Sequence, residues 1–129
     1  MGKITEEIKA MVEKRKLVFT ATASKEGLPN VSPKGSIRYW DENHLIFVER
    51  NSARTIRNLK ENPNISLVIL DEEKSKGFQL KGTAELIDKG KIYEEIDKIE
   101  KARTPYRGPF NCVVKIAVAE AFPIPTPKA

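Results

Sequence analysis

The residues best suited to chemistry are cations and hydroxyls grouped around a short apolar run. Lys34 and Ser36 precede the run at residues 45–48, and Arg54 and Thr55 follow it. The segment after the run is predicted to begin a helix, whose first N–H groups lack partners and carry partial positive charge. Cations, hydroxyls and free N–H groups that meet at one point form a cradle suited to a phosphate monoester.

The elements that position this cradle follow from the local sequence. Residues 41–44 form a polar turn between two apolar runs, and residues 45–48 are too short and too rich in β-branched and aromatic side chains to be a helix. Ser52 is placed to cap the helix that follows, and Asn62-Pro63 ends it. We therefore predict a strand, a turn, a strand and a helix in succession.

Two arginines of this predicted helix have different expected roles. Arg54 lies in the first turn, where its charge adds to the field of the free N–H groups. Arg57 is spaced to form an i,i+4 ion pair with Glu61 on a solvated face. We therefore expect Arg54, rather than Arg57, to contact a phosphate.

Alternating side chains predict six strands, and helical periodicity predicts three helices. Thr5 is predicted to cap the first helix, and Ile92, Ile96 and Ile99 lie on the buried face of the third. The proline-rich tail after residue 122 should be extended and outside the sheet. The strands are predicted at residues 17–23, about 30–40, 45–48, 65–70, 78–87 and 111–122. This pattern predicts one domain, residues 1–129, folded as a mostly antiparallel barrel with helices packed outside.

The second predicted strand contains two residues that disturb a sheet. Pro33 cannot donate to a ladder, and Gly35 weakens a strand interior. Together they indicate a bulge, an edge or the close approach of a ligand to the backbone. A plain barrel bend and a ligand explain them equally well, and Lys34 between them favours the ligand.

Composition narrows the classes of function. The formal net charge of +5 is compatible with nucleic acid, a membrane surface or a phosphorylated ligand, but the lysines are scattered among acidic residues. With one histidine, His44 in a turn, and one cysteine, Cys112 in a buried strand, neither a metal site nor a catalytic triad can be assembled. Any redox chemistry must therefore come from a cofactor. A cysteine without a partner and the lack of a long apolar run favour the cytoplasm over a membrane.

Several short motifs follow one another along nearly the whole chain. After the opening helix and strand come residues 27–33, the strand at 45–48, Asn58-Leu59 with Asn62-Pro63, and Lys-Gly-Thr-Ala at 81–84. In this order and spacing, the set resembles the FMN-binding split barrels related to pyridoxamine 5′-phosphate oxidase. The resemblance implies a mostly β protein with flanking helices, folded as a six-stranded antiparallel split β-barrel.

The resemblance also implies a homodimer with two FMN molecules at the subunit interface. The FMN phosphate would be held by basic and hydroxyl residues: Lys34, Ser36, Arg54 and Thr55. Backbone groups of three consecutive residues would line the edge of the ring system: Val48, Glu49 and Arg50. The partner subunit would contribute two residues of the late loop: Tyr106 and Asn111. The oxidase itself has an Arg- and His-rich segment that grips its substrate, whereas this chain is proline-rich there, so we expect FMN binding without oxidation of pyridoxamine 5′-phosphate.

The leading hypothesis is therefore an FMN-dependent oxidoreductase or electron carrier, with no catalytic residue and no electron donor or acceptor assigned. A related split barrel that binds a deazaflavin or haem is an alternative, and His44 is then the only histidine available as an axial ligand. A barrel that binds single-stranded nucleic acid is a further alternative. It would need exposed aromatic residues interleaved with basic ones, and only residues 38–40 fit that pattern.

Overall fold

The computed structural model describes residues 2–14, 17–50 and 53–125. Within these ranges the chain forms three helices: α1 (Glu6–Glu13), α2 (Ala53–Glu61) and α3 (Lys91–Lys101). It also forms seven strands: β1 (Leu17–Ala23), β2 (Pro29–Pro33), β3 (Arg38–Asp41), β4 (His44–Glu49), β5 (Asn64–Asp71), β6 (Lys76–Ile87) and β7 (Cys112–Pro125).

The strands form a single antiparallel sheet in the order β2-β1-β5-β6-β7-β4-β3. The two strands at the ends of this order, β2 and β3, are consecutive in the chain and joined only by residues 34–37. Four residues span at most about 14 Å, so the sheet must curl until its two ends approach each other. The result is the split β-barrel with flanking helices that the sequence predicts.

The predicted strand at residues 30–40 is in fact two strands, so the barrel has seven strands rather than six. β2 pairs with β1, whereas β3 pairs with β4 at the other end of the sheet. Pro33 ends the first of them because it lacks an N–H group, and the N–H of Lys34 makes a last bond to Val18 O at 3.0 Å. The bend allowed by Pro33 and Gly35 is therefore a crossing from one end of the sheet to the other.

The helix boundaries agree with their local signals. Thr5 caps α1, and its hydroxyl accepts the N–H of Ile8 at 3.3 Å. α2 ends at Glu61, immediately before Asn62-Pro63, as predicted. Ser52, the predicted cap of α2, lies outside the described residues.

The apolar residues form two clusters on opposite faces of β4. Leu45 and Phe47 belong to the cluster inside the barrel, and Ile46 and Val48 belong to a smaller cluster that packs against α3. β4 is therefore buried on both faces, which explains its uninterrupted apolar run. Helix α1 packs Ile8, Met11 and Val12 into the inner cluster, which also contains Ile4 from the segment before the helix.

The last strand is longer than predicted, and its pairing with β6 contains a bulge. β7 continues through Pro123 to Pro125 and pairs there with residues 76–78 of β6, so the tail is part of the sheet as far as Pro125. Prolines at alternate positions point their missing N–H groups to the same side of the strand. A bulge in this pair lies at Gly82, where a Cβ atom would be 2.0 Å from Ala117 O.

The buried face of α3 is also different from the predicted one. Ile96 is fully buried as expected, but Ile99 is 44% exposed and Glu100 is 1% exposed. The helix has turned a carboxylate inward where an isoleucine was predicted. Glu100 is held there by arginines that are distant in the sequence, Arg38 and Arg50.

Candidate functional site

A cavity of about 580 Å³ runs along α2. Five of its lining residues lie three or four positions apart on one face of the helix, and the sixth precedes β7: Ala53, Ile56, Arg57, Lys60, Glu61 and Asn111. Arg54 is exposed and is not among the lining residues. Of the two arginines of α2, Arg57 is the one that lines this cavity, and the assignment of Arg54 to a phosphate stays a prediction.

The polar groups of this cavity are suited to an anionic ligand. Arg57 and Lys60 are exposed cations that face it together. Glu61 accepts the backbone N–H of Lys25 at 3.1 Å, and the described ion pairs do not include the predicted Arg57–Glu61 pair. Asn111 donates its side-chain N–H to Arg50 O at 3.1 Å. The donor set fits a phosphate, and Ile56 offers apolar contact for an organic group attached to it.

Lys34 lies inside the protein and is paired with Glu49. Their side chains are 8% and 3% exposed, and the Lys34 ammonium also lies 5.3 Å from the centroid of the Phe47 ring. A buried lysine next to a carboxylate and an aromatic face is held in one place. In this arrangement, its charge is directed at Glu49.

Ser36 uses its hydroxyl to hold β4. The Oγ atom accepts the N–H of Val48 and donates to the carbonyl of Val48, both at 3.2 Å. The next carbonyls along the strand are held by Asn111, whose backbone N–H donates to Glu49 O at 2.7 Å. The backbone at residues 48–50 is thus fixed by Ser36 on one side and Asn111 on the other. Thr55, the last predicted phosphate ligand, is buried in α2.

The late loop is attached to β4 through Arg50. The Nε–H of Arg50 donates to Gly108 O at 3.2 Å, and Tyr106 in the same loop is 47% exposed. The two residues assigned to the partner subunit are therefore separated in this chain. Asn111 lines the α2 cavity, whereas Tyr106 projects from the loop surface.

A cluster of charged residues that the sequence did not indicate surrounds Glu100. Arg38 binds one oxygen of its carboxylate, Arg50 binds the other at 2.7 Å, and Arg103 approaches both at 3.4–3.5 Å. Burial on its own raises the pKa of Glu100, but the hydrogen bonds from Arg50 and Arg38 outweigh it and lower the pKa to about 2. The sequence signal would have been an acidic residue in register with Ile92 and Ile96.

The single histidine and the single cysteine occupy different environments. His44 Nδ1 lies 2.7 Å from Asp41 Oδ1, and the ring borders a second cavity of about 410 Å³. Burial, with the nearby Glu49 carboxylate, raises the pKa of the Cys112 thiol to about 11, so it is not a thiolate at neutral pH. Among the described residues, no group of acidic, histidine and cysteine side chains could hold a metal ion. No described helix has the length and apolar character needed to span a bilayer.

The fold defines the class as a split β-barrel, and the comparison of sequences identifies the family. Residues 4–124 match the family model described as pyridoxamine 5′-phosphate oxidase. The chain belongs to this family, as the order of its motifs predicts.

Curated relatives and solved structures support the assignment. Protein MJ0282 of Methanocaldococcus jannaschii is 34% identical over 122 residues, which cover 93% of this chain and 80% of that protein. Heme oxygenase HutZ of Vibrio cholerae is 32% identical over 72 residues, which cover 56% of this chain and 40% of HutZ. The crystal structure of HupZ from Group A Streptococcus superposes with a TM-score of 0.86 at 32% identity, covering 95% of this chain and 94% of HupZ. An FMN-binding protein from Syntrophomonas wolfei shares the fold, with a TM-score of 0.80 at 15% identity and coverage of 94% and 86%.

Proposed function

We propose that this protein is an FMN-binding flavoprotein that serves as an oxidoreductase or an electron carrier. The observation that carries this proposal is the cavity along α2, where Arg57, Lys60 and Asn111 present two cations and an amide. Family membership adds support, because the family model is that of a flavin-dependent oxidase and an FMN-binding protein has the same fold. The oxidation of pyridoxamine 5′-phosphate is not part of the proposal.

The proposed roles divide the predicted site into a binding layer and a supporting layer. Arg57 and Lys60 bind the phosphate, and the side-chain amide of Asn111, which also lines the cavity, donates to the ligand. Lys34 and Ser36 stabilise the site without contacting the ligand, because their polar atoms fix Glu49 and Val48. When bound, the flavin supplies the electron transfer, and the chain binds and orients it.

Discrimination between FMN and riboflavin tests this proposal. Charge-assisted hydrogen bonds to a phosphate contribute about 1.5–3 kcal/mol each, so FMN should bind much more tightly than riboflavin. The measurement is a fluorescence-quenching titration with both ligands. Equal affinities would contradict a phosphate site on α2.

The absorption spectra of the purified protein and of the cofactor released from it distinguish FMN from a deazaflavin. A deazaflavin would use the same cavity.

Haem is a second candidate cofactor, favoured by one specific observation. His44 has a carboxylate partner on Nδ1 and borders a cavity, which leaves Nε2 available as an axial ligand. Haem would then occupy the cavity lined by His44 and Lys115 instead of the α2 cavity. Reconstitution with haem tests this candidate: a Soret band that shifts in His44→Ala would support it, and an identical spectrum in both proteins would exclude His44 ligation.

We also propose a homodimer with the cofactor at the subunit interface, located in the cytoplasm. Leu28, just before β2, and Val31 on β2, an end strand of the sheet, are 69% and 66% exposed, and a second copy would cover them. In the proposed dimer, Tyr106 of the late loop reaches across from the partner, and its exposure of 47% in this chain supports that role. Sedimentation of wild type and Val31→Asp tests the dimer. A wild-type monomer at micromolar concentration would contradict it.

The single buried thiol, Cys112, is consistent with a reducing compartment.

A further inference from the structure

We propose that Glu61 is a specificity-determining residue of the α2 cavity and restricts this cavity to ligands that end in their phosphate. The cavity would then accept a phosphate monoester such as FMN and disfavour a molecule that continues beyond the phosphate, such as FAD. Because it concerns the same cavity, this role of Glu61 rests on the proposed function.

The α2 cavity changes in character along the helix axis. The helix has nine residues, so its first and last lining residues, Ala53 and Glu61, are about 12 Å apart along the axis. The half nearer the helix start is uncharged, with Ala53, Ile56 and the amide of Asn111, which binds Arg50 O just before the helix. The charged residues follow in the second half: Arg57, Lys60 and Glu61. An amphiphilic ligand therefore fits in one direction, with its organic body beside Ile56 and its phosphate at the cations.

Glu61 is held in position at the far end of this cavity. Its Oε1 atom accepts the backbone N–H of Lys25, in the turn between β1 and β2, at 3.1 Å. A second bond fixes the same half of the helix to β1, since Asn58 Nδ2 donates to Thr22 Oγ1 at 3.1 Å in the interior. The carboxylate of Glu61 is therefore anchored to the sheet on the side that a longer ligand would have to pass.

The β1–β2 turn that binds Glu61 is closed by its own hydrogen bonds. The N–H of Gly27 donates to Ser24 O at 2.9 Å, and the N–H of Leu28 donates to Ser24 Oγ at 3.1 Å. The N–H of Ser24 donates in return to Leu28 O at 2.9 Å. Gly27 has a φ of 88°, which glycine adopts without strain. A turn with three internal hydrogen bonds resists displacement by a ligand group that extends past the cations.

A carboxylate in this position discriminates by charge and by space. A phosphate monoester has one organic substituent, which points back along the uncharged half of the cavity, so no group extends towards Glu61. In FAD, the flavin phosphate is joined to a second negatively charged phosphate and then to adenosine, and both would meet Glu61. Like charges at short distance repel, and displacement of Glu61 would leave the N–H of Lys25 without its acceptor. Both effects disfavour FAD relative to FMN.

Titration calorimetry of the full chain with FMN and FAD measures this discrimination. Wild type should bind FMN at least tenfold more tightly than FAD, and Glu61→Ala should reduce the ratio to less than threefold. Glu61→Gln keeps an acceptor for the N–H of Lys25 but lacks the charge, so its ratio should lie between the two. The matched control is Glu26→Ala, which removes a carboxylate from an exposed position of the same turn and should change the ratio less than twofold. A wild-type ratio near one, or equal changes in Glu61→Ala and Glu26→Ala, would overturn the assignment.

Ligands without a flavin separate the role of Glu61 from the flavin proposal. Phenyl phosphate ends in its phosphate, whereas diphenyl phosphate has an organic group on both sides of it. Wild type should bind phenyl phosphate at least tenfold more tightly, and Glu61→Ala should reduce this preference at least fivefold. If this holds while FMN and riboflavin bind equally, the flavin proposal fails and the role of Glu61 stands. If neither ester binds, or if Glu61→Ala leaves the preference unchanged, the role of Glu61 is overturned, and the riboflavin comparison still decides the flavin proposal.

Discussion

Two buried carboxylates, Glu49 on β4 and Glu100 on α3, are neutralised in different ways. Their exposed fractions are 2% and 1%. Glu49 is paired with Lys34, whose side chain is 8% exposed. Glu100 is surrounded by three arginines whose side chains are 18–24% exposed: Arg38, Arg50 and Arg103.

The difference shows that similar pairs of charges can serve different purposes. The Lys34–Glu49 pair is closed to solvent and lies against the core, so its main effect is to fix the end of β4 beside the backbone held by Ser36. The Glu100 cluster has excess positive charge and reaches the surface between α1, β3 and α3 through Arg38 and Arg103. The first pair holds the end of a strand in the interior, whereas the second leaves positive charge at the surface.

The largest expected effect is on the Glu100 side of this comparison. Glu100→Gln removes the carboxylate from three guanidiniums that cannot lose their charge, so the free energy of unfolding should fall by about 3–5 kcal/mol. Urea denaturation measures it. Glu95→Gln, at an exposed position of the same helix, is the control and should change stability by less than about 0.5 kcal/mol. A loss in Glu100→Gln no larger than in the control would show that the cluster is not structural.

The same carboxylate should make stability depend on pH in the acid range. The pKa of Glu100 is about 2 in the folded protein, against an ordinary value of 4.5. As pH falls, the unfolded chain binds this proton first, so the stabilisation is complete above about pH 4.5 and is lost as the pH approaches 2; its full size is about 3 kcal/mol. Urea denaturation at pH 6 and pH 3 should show a larger drop for wild type than for Glu100→Gln. Parallel curves for the two proteins would contradict the lowered pKa.

Glu49→Gln should be less damaging than Glu100→Gln. It leaves Lys34 without its carboxylate in the interior, but a lysine can release its proton, whereas an arginine cannot. We expect a loss of about 2–3 kcal/mol in the free energy of unfolding. The exposed Glu85→Gln on β6 serves as the control. If Glu49→Gln costs more than Glu100→Gln, the closed pair is the principal electrostatic element of the fold.

The smallest predicted effect concerns Cys112, which is opposite Glu49 in the β4–β7 register. Burial is the main reason that the thiol pKa is raised to about 11, and the Glu49 carboxylate contributes. Glu49→Gln should therefore increase the rate of thiol modification at pH 9 a few-fold. Glu100→Gln is the control for destabilisation, because it lowers stability but leaves the carboxylate beside Cys112 in place. Faster thiol modification in Glu100→Gln than in Glu49→Gln would mean that the rate follows unfolding.

The regular elements were predictable because their signals are local. Thr5, Gly27 and Asn62-Pro63 mark a helix start, a turn and a helix end, and each does so in the structure. The division of residues 30–40 into two strands was not predictable from the pattern. β2 and β3 pair with different neighbours, and pairing partners are not encoded in a single stretch of sequence.

The candidate site was predictable as a region but not in its contacts. The sequence indicated the start of α2, whereas the α2 cavity runs along the helix from Ala53 to Glu61. The inward turn of Glu100 depends on Arg38 and Arg50, which are 62 and 50 residues away in the chain. Local periodicity favoured Ile99 because it contains no information about such distant charges.

The central claim is that the face of α2 lining the cavity binds the FMN phosphate. The most direct measurement is the FMN affinity of Arg57→Ala and Arg54→Ala at one salt concentration, with riboflavin as the ligand control. Arg57→Ala should weaken FMN binding at least tenfold, or about 1.4 kcal/mol, because Arg57 faces the cavity. Arg54→Ala should change it less than threefold, and neither variant should change the affinity for riboflavin. If Arg54→Ala is the more damaging change, the phosphate is bound at the helix start and not in the α2 cavity.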